Sequence, residues 1–197
     1  GGAKPVVYLS VQRWHFPPGD GRTSRIDGAG VSLYMGQMDL SELKIVAFES
    51  RYARSFYELN KAWLEAHFLI EPYDLKVLQN PREMVLEKGG DIFFGTIGKE
   101  VVATFALTPT APASMELNKM AVRKDWQSKG IGHRLMSFAL AHCESLQVEV
   151  LELYSHTKLQ SALHLYRKFG FEVTPMAEDC VYDRADIRMI RTLYPPI

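Results

Sequence analysis

Cysteine is scarce: Cys143 and Cys180 are the only two in 197 residues, too few for a disulfide framework in a chain of this size. A reducing cytoplasm is the expected setting. No run approaches the roughly 18 consecutive apolar residues that span a bilayer, and no basic stretch leads into an apolar one near the start, so a soluble, unexported protein without a membrane partner is expected. Charge of one sign is not in excess, with 23 Lys and Arg against 23 Asp and Glu, which removes the electrostatic ground for a nucleic-acid partner. Internal repeats and low-complexity blocks are missing, which excludes solenoids. No His, Cys and carboxylate set has ligand spacing, so no metal is expected, and no nucleophile elbow points to Ser-His-Asp chemistry.

What is present suits one globular core, since apolar residues make up 47% and charged residues 23% of the chain. Gly and Pro are uneven. Residues 1–36 hold seven of the 14 glycines and three of the ten prolines, including Pro17-Pro18-Gly19-Asp20-Gly21. Residues 1–40 therefore read as an N-terminal arm and 41–197 as the domain. Within the arm, Val6 to Val11 is apolar enough to add as an edge strand, with a loose tail as the other reading; a homodimer joined through the arm is the assembly expected.

The domain reads as mixed α/β. Leu43 to Phe48 is a strand, and Ser50 opens a helix whose Tyr52, Phe56, Leu59 and Trp63 form an apolar stripe. Asn80-Pro81-Arg82-Glu83 starts a second helix, with a cap, a first-turn proline and an acid three residues on, and Gly89-Gly90 ends it. Asp91 to Ile97 and Val101 to Leu107 form a hairpin, and the proline-bearing Thr108 to Ser114 reads as a longer connection. Met115 to Val122 is the next strand. Ile131, Leu135, Phe138, His142 and Leu146 then make a helical stripe beside Ala139 and Cys143, which marks Cys143 as core. A strand at Val148 to Tyr154, a helix at Leu159 to Phe169 ended by Gly170, and strands at Phe171 to Thr174 and Ala185 to Leu193 complete the order.

Chemistry concentrates where strand meets helix, at Gln127-Ser128-Lys129-Gly130-Ile131-Gly132. Glycine lets a ligand approach the backbone there, and the first N–H groups of the following helix have no partner within it. Such a turn wants an anion, and Lys129, His133 and Arg134 add donors. A dinucleotide-binding turn would need a third glycine where Leu135 stands, and no Gly-Lys-Ser/Thr follows for a P-loop.

Glu116-Leu117-Asn118-Lys119-Met120-Ala121-Val122 followed by Gln127-x-x-Gly130-x-Gly132 resembles the acetyl-CoA motif of the GNAT (GCN5-related) N-acetyltransferase family. Ala162 to Phe171, with Tyr166 ahead of Gly170-Phe171, is similar to that family's second motif. The resemblance implies a GNAT-like fold: a central, mostly antiparallel twisted sheet, covered by helices, whose fourth and fifth strands splay apart. It implies acetyl-CoA as cosubstrate, with the pantetheine arm on Met120, Ala121 and Val122. The pyrophosphate would lie on the main chain of Gln127, Ser128, Lys129, Gly130, Ile131, Gly132 and His133. Many relatives resemble Ser-Asn-Thr-Lys-Leu where this chain has Ser155-His156-Thr157-Lys158-Leu159; His156 is read as a cofactor contact or as an ordinary loop histidine.

An acetyl acceptor amine must be neutral to attack, and an alkyl ammonium of pKa about 10 lies about 4 kcal/mol from neutral at pH 7. Glu116 is the candidate base, against the reading of a solvent-facing strand glutamate; Glu71, Asp74 or a water chain are alternatives. The resemblance makes Tyr166 the acid at the departing sulfur, while Leu159, Ala162, Tyr166 and Phe169 also fit a plain core stripe. Tyr57, Trp63, His67, Glu71, Tyr73 and Asp74 mark the region for an acceptor, expected to be a small-molecule primary amine. The competing reading is an acyl-CoA-binding sensor or interaction module without turnover.

Overall fold

A computed structural model of the chain describes residues 40–194. The arm, its Val6–Val11 strand and the homodimer expected of it lie outside the described residues, apart from Leu40. Strands β1 (Lys44–Ala47), β2 (Asp91–Ile97), β3 (Glu100–Ala111), β4 (Ser114–Val122), β5 (Val150–Ser155), β6 (Glu172–Thr174) and β7 (Ile187–Thr192) form one sheet in the order β1-β2-β3-β4-β5-β7-β6. All neighbours run antiparallel except β4 and β5, which are parallel and joined through helix α3 (Ile131–Ser145). The mixed, mostly antiparallel α/β architecture is as the sequence led one to expect.

Helices cover both faces, which explains why β2 and β3 are apolar without clear alternation. Ile92, Phe94 and Ala106 pack with Phe56 and Leu64 of α1 (Ala53–His67) and with Val77 and Leu78 of α2 (Pro72–Gln79). Phe93, Phe105 and Leu107, one residue out of phase, pack with Leu135, Met136 and Ala139 of α3. Cys143 is fully buried in this second core, and burial pushes its thiol up to about 12. It is packing, not a nucleophile.

Four local expectations change. Ser50 caps nothing with its side chain and instead begins a 3-10 turn, Ser50–Tyr52. On α1 the buried line is Phe56, Asn60 and Leu64, with Asn60 Nδ2 satisfied by the Phe56 carbonyl at 2.9 Å; Tyr52 and Trp63 pack partly buried against the same core, and Leu59 lines a groove. A helix not expected from the sequence, α2, precedes Asn80: Pro72 occupies its first turn, and the Asp74 carboxylate accepts the Glu71 N–H at 3.4 Å. Asn80 ends it, its amide donating to the Lys76 carbonyl at 3.0 Å, and the helical segment expected from Asn80-Pro81 follows as a π turn, Arg82–Leu86. Finally, Thr108 to Ser114 is mostly strand and tight turn: Thr108 pairs Glu116, Pro109 pairs Met115 and Ala111 pairs Ser114. Proline is tolerated because β2 stops at the Asp91–Leu107 pair, so nothing on that side awaits its missing N–H.

The feature that makes room for a site is a β-bulge in β4. Thr104 faces Ala121 while Ala106 faces Asn118, so Lys119 and Met120 together oppose Phe105, and Lys119 takes φ +50°. A bulge bends its strand and increases the twist. β4 and β5 pair only at Ser114–Val150, Met115–Leu151 and Glu116–Glu152, and then part. Among the described residues no helix is long and apolar enough to cross a membrane.

Candidate active site

Where β4 leaves β5 a cleft of about 730 Å³ opens, counting its mouth. Its walls are Glu116 to Met120 of β4, Tyr154 to His156 at the end of β5, Leu159 and Tyr166 around α4 (Gln160–Lys168), Asn60, Trp63 and Leu64 of α1, Asp74 of α2, and Tyr182, Arg184 and Ala185 of the β6–β7 loop. Six chain segments meet there, and the two residues expected to be catalytic, Glu116 and Tyr166, share the space.

Glu116 occupies the last paired position before the strands separate. Its carboxylate does not face solvent: Oε1 accepts the Tyr182 hydroxyl at 2.9 Å. Burial raises its pKa above the ordinary glutamate value, and the Glu152 charge across the strand pair adds to this, while the Tyr182 bond, the Lys119 charge and the Asn118 amide act against it. Beside it, Asn118 donates to Thr108 Oγ1 at 3.2 Å, and its own buried oxygen has no partner among the described residues.

Tyr166 projects from α4 with its ring 6.1 Å from Phe171, held by the helix end at Gly170 (φ +76°). Burial alone pushes its hydroxyl up to about 12, so it stays protonated at neutral pH. It packs at the edge of the core and lines the cleft, which places both readings of this tyrosine in one residue.

The carboxylates named as alternatives are already engaged. Asp74 is fully buried, with Oδ1 2.8 Å from Lys119 Nζ and Oδ2 2.6 Å from Arg184 Nη1. Burial pushes its carboxyl up, but Lys119 and Arg184 outweigh that and hold it below the usual range. Glu71 accepts the Arg184 backbone N–H at 2.9 Å and lies 2.9 Å from its guanidinium. Both carboxylates are ion-paired with Arg184. Glu152, next to the cleft, is paired with Arg188 at 2.7 Å.

Beyond Met120, Gln127 to Gly130 turns the chain from β4 into α3 through two left-handed residues, Ser128 (φ +59°) and Gly130 (φ +83°). No side chain caps α3, and no acid sits in its first turn. Its leading N–H groups therefore remain open to an anion. A Cβ on Gly132 would lie 3.5 Å from Leu165 and 4.0 Å from Met120, so helix, strand and α4 converge closely at that residue. Ile131 and Ala121 have buried side chains and offer only backbone. Side-chain donors point elsewhere: Lys129 lies over the Trp126 ring at 4.9 Å, the His133 ring is tilted against Phe169 with centres 4.6 Å apart, and Arg134 donates to the Leu40 carbonyl at 2.5 Å. The Val122 carbonyl accepts the Gln127 amide at 3.0 Å.

His156 lines the cleft with Nδ1 accepting the Lys158 N–H at 3.0 Å, 3.6 Å from Asp186 Oδ2, and its ring is 5.5 Å from Phe68. An accepting Nδ1 puts the proton on Nε2. Of the expected acceptor region, Trp63, Asp74 and Tyr73 border or contact the cleft groups, whereas Tyr57 carries Lys61 over its ring at 5.9 Å and His67 lines the neighbouring groove. Sequence reasoning missed Lys119, Tyr182 and Arg184. Only the irregular polar stretch around Tyr182-x-Arg184 marks the last two, and no local pattern ties them to positions 66 and 110 residues away. Among the described residues no group of three or more His, Cys, Asp or Glu is arranged to hold a metal.

Comparison with known proteins agrees with this geometry. Residues 85–173 match the family described as acetyltransferase (GNAT) domain. The chain is 27% identical over 112 residues to the uncharacterized N-acetyltransferase YvbK of Bacillus subtilis (strain 168), covering 55% of this chain and 72% of that protein. A GNAT-family acetyltransferase from Staphylococcus aureus Mu50 has the same fold, with a TM-score of 0.70 at 20% identity over 77% of this chain and 99% of that one. So does a spermidine N-acetyltransferase from Vibrio cholerae solved with CoA and spermine, with a TM-score of 0.60 at 21% identity over 78% of this chain and 96% of that one. At such identities the structural likeness speaks for the fold alone.

Proposed function

We propose that this chain, which belongs to the GNAT acetyltransferase family, moves an acetyl group from acetyl-CoA to a primary amine on a small molecule. The observation that carries the reading is the state of the cleft's carboxylates. Of the two that line it, Asp74 is consumed by Lys119 and Arg184, and Glu116 alone among the described lining residues has no cationic partner. An acid with a raised pKa and no counter-ion, at the point where the strands part, suits proton removal from an ammonium.

The residues fit the cosubstrate. The uncapped start of α3 and the turn through Gly130 suit a pyrophosphate, and the edge of β4 at Met120, Ala121 and Val122, left unpaired by β5, suits an extended amide-bearing arm. His156 presents Nε2–H from the opposite wall. Acetyl-CoA held there would supply an activated thioester. Glu116 takes a proton from the amine nitrogen, and the Tyr166 hydroxyl, kept neutral by burial, gives its proton to the departing sulfur. Aromatic walls at Trp63, Tyr154 and Tyr182 exclude water around the reacting atoms. The spermine bound in a relative of the same fold supports a small amine as acceptor.

The test is an acceptor screen. Pure protein and acetyl-CoA, incubated with amines, peptides and alcohols, should release CoA and yield a product with one acetyl on nitrogen. Acetyl-CoA binding without transfer to any of them would instead favour the sensor.

A further inference from the structure

We infer that Tyr182 is a positioning residue, whose hydroxyl fixes the Glu116 carboxylate at the parting of β4 and β5 and stabilises its charged form. The inference rests on the reading of Glu116 as the base. Tyr182 belongs to none of the motifs that carry the family resemblance and comes from the loop between β6 and β7. Its ring is nonetheless only 7% exposed, packed edge-on to Tyr73 at 5.6 Å and tilted against Tyr154 at 5.9 Å. Lys119 Nζ stands 4.7 Å from the ring centre and the Arg184 guanidinium 5.1 Å from it.

This loop is pinned beside the tyrosine. Arg184, two residues on, reaches into the buried Asp74 carboxylate, and Asp186 accepts both the N–H and the hydroxyl of Thr157 at 2.7 and 2.6 Å. The ring packing alone would be served by phenylalanine. What a phenylalanine lacks is the hydroxyl, whose partner is Glu116 Oε1 at 2.9 Å. A hydrogen bond donated to a carboxylate favours its ionised form and fixes the direction in which its free oxygen points. Facing the same carboxylate are Lys119 and Asn118 from its own strand, Glu152 and Tyr154 from β5, and Tyr73 and Asp74 from α2. Of the groups packed on Glu116 from other elements, Tyr182 is the neutral donor in direct contact.

Tyr182→Phe tests this. Glu116 must be ionised to accept a proton, so losing the donor moves the acid limb of the kcat/KM profile to higher pH, by about one unit. Activity on the acid side of the limb falls about tenfold and recovers above it, while acetyl-CoA affinity stays within about twofold. In Glu116→Asp, one methylene short of the hydroxyl, adding Tyr182→Phe moves the limb no further. The Glu116 carboxyl signal, followed by carbon-13 NMR and assigned with Glu116→Gln, rises with the limb and needs no turnover. An unmoved carboxyl titration in Tyr182→Phe overturns the inference, whatever Glu116→Gln does. Wild-type turnover in Glu116→Gln sinks the base reading instead, and the NMR titration still decides Tyr182.

Discussion

The two ends of the proposed site are built by different means. At the α3 end, the consecutive residues Gln127 to Arg134 supply left-handed turns and open N–H groups, and the side chains of Lys129, His133 and Arg134 are occupied with Trp126, Phe169 and Leu40. At the Glu116 end, nothing works without partners far along the chain: Asp74 meets Lys119 and Arg184, and Glu116 meets Tyr182. Backbone sites are local and tolerate side-chain change; side-chain sites are assembled by the whole fold and do not. The first kind leaves a motif in the sequence, and the second leaves scattered residues.

The largest effect that would sharpen this contrast is at Asp74. Asp74→Ala leaves Lys119 in the interior without its ion-pair partner and Arg184 with Glu71 alone, with an expected loss of about 3–5 kcal/mol in chemical denaturation. Asp74→Asn, which keeps the volume, should cost nearly as much; a loss under 1 kcal/mol in both would mean the cluster is not the keystone of that end. The same carboxylate has a pH signature. Its folded pKa lies below the model-peptide 3.8, so the stability it lends is complete above the ordinary aspartate range and drains away as pH falls through the lowered value. Acid titration of wild type against Asp74→Asn should show the two curves converging only at the acid extreme.

Next in size is Gly130→Glu at the opposite end. A side chain at φ +83° is strained and here adds a negative charge to an anion site, so acetyl-CoA affinity should fall at least about a hundredfold by calorimetry. Unchanged affinity would mean the turn is not the phosphate site. Tyr166→Phe should then cost about tenfold in turnover with acetyl-CoA binding intact, because only the hydroxyl is removed from a packed ring. Wild-type turnover, with chemistry rate-limiting, would return Tyr166 to the core. The smallest effect is expected for Lys129→Ala, within about threefold in acetyl-CoA affinity, since the backbone is the ligand there and the ammonium rests on Trp126. A hundredfold loss would break the contrast by making that end depend on a side chain too.

Most strands and both later helices could be read along the chain, because each is specified by a local apolar period and a turn at its end. The α3 turn was legible for the same reason. Errors fell where local rules competed. Asn80-Pro81 does open a helical segment, Arg82–Leu86, but of π type, and the helix begun by Glu71-Pro72 nine residues earlier went unread. Pro109 looks like a break, but strand pairing runs past it because β2 has already ended. Leu59 fits an apolar stripe on α1, and the fully buried line instead runs through Asn60, whose amide is satisfied within the helix.

By itself the sequence determined most of the order of elements and the glycine turn into α3, since periodicity, turn chemistry and helix ends act over a few residues, and the motif resemblance added Glu116 and Tyr166 as candidates. The tertiary structure alone decided which carboxylate remains unpaired. Charge neutralisation depends on distance in space, and the loop that brings Arg184 to Asp74 and Tyr182 to Glu116 is positioned only once β5, β6 and β7 have closed the sheet beside β4.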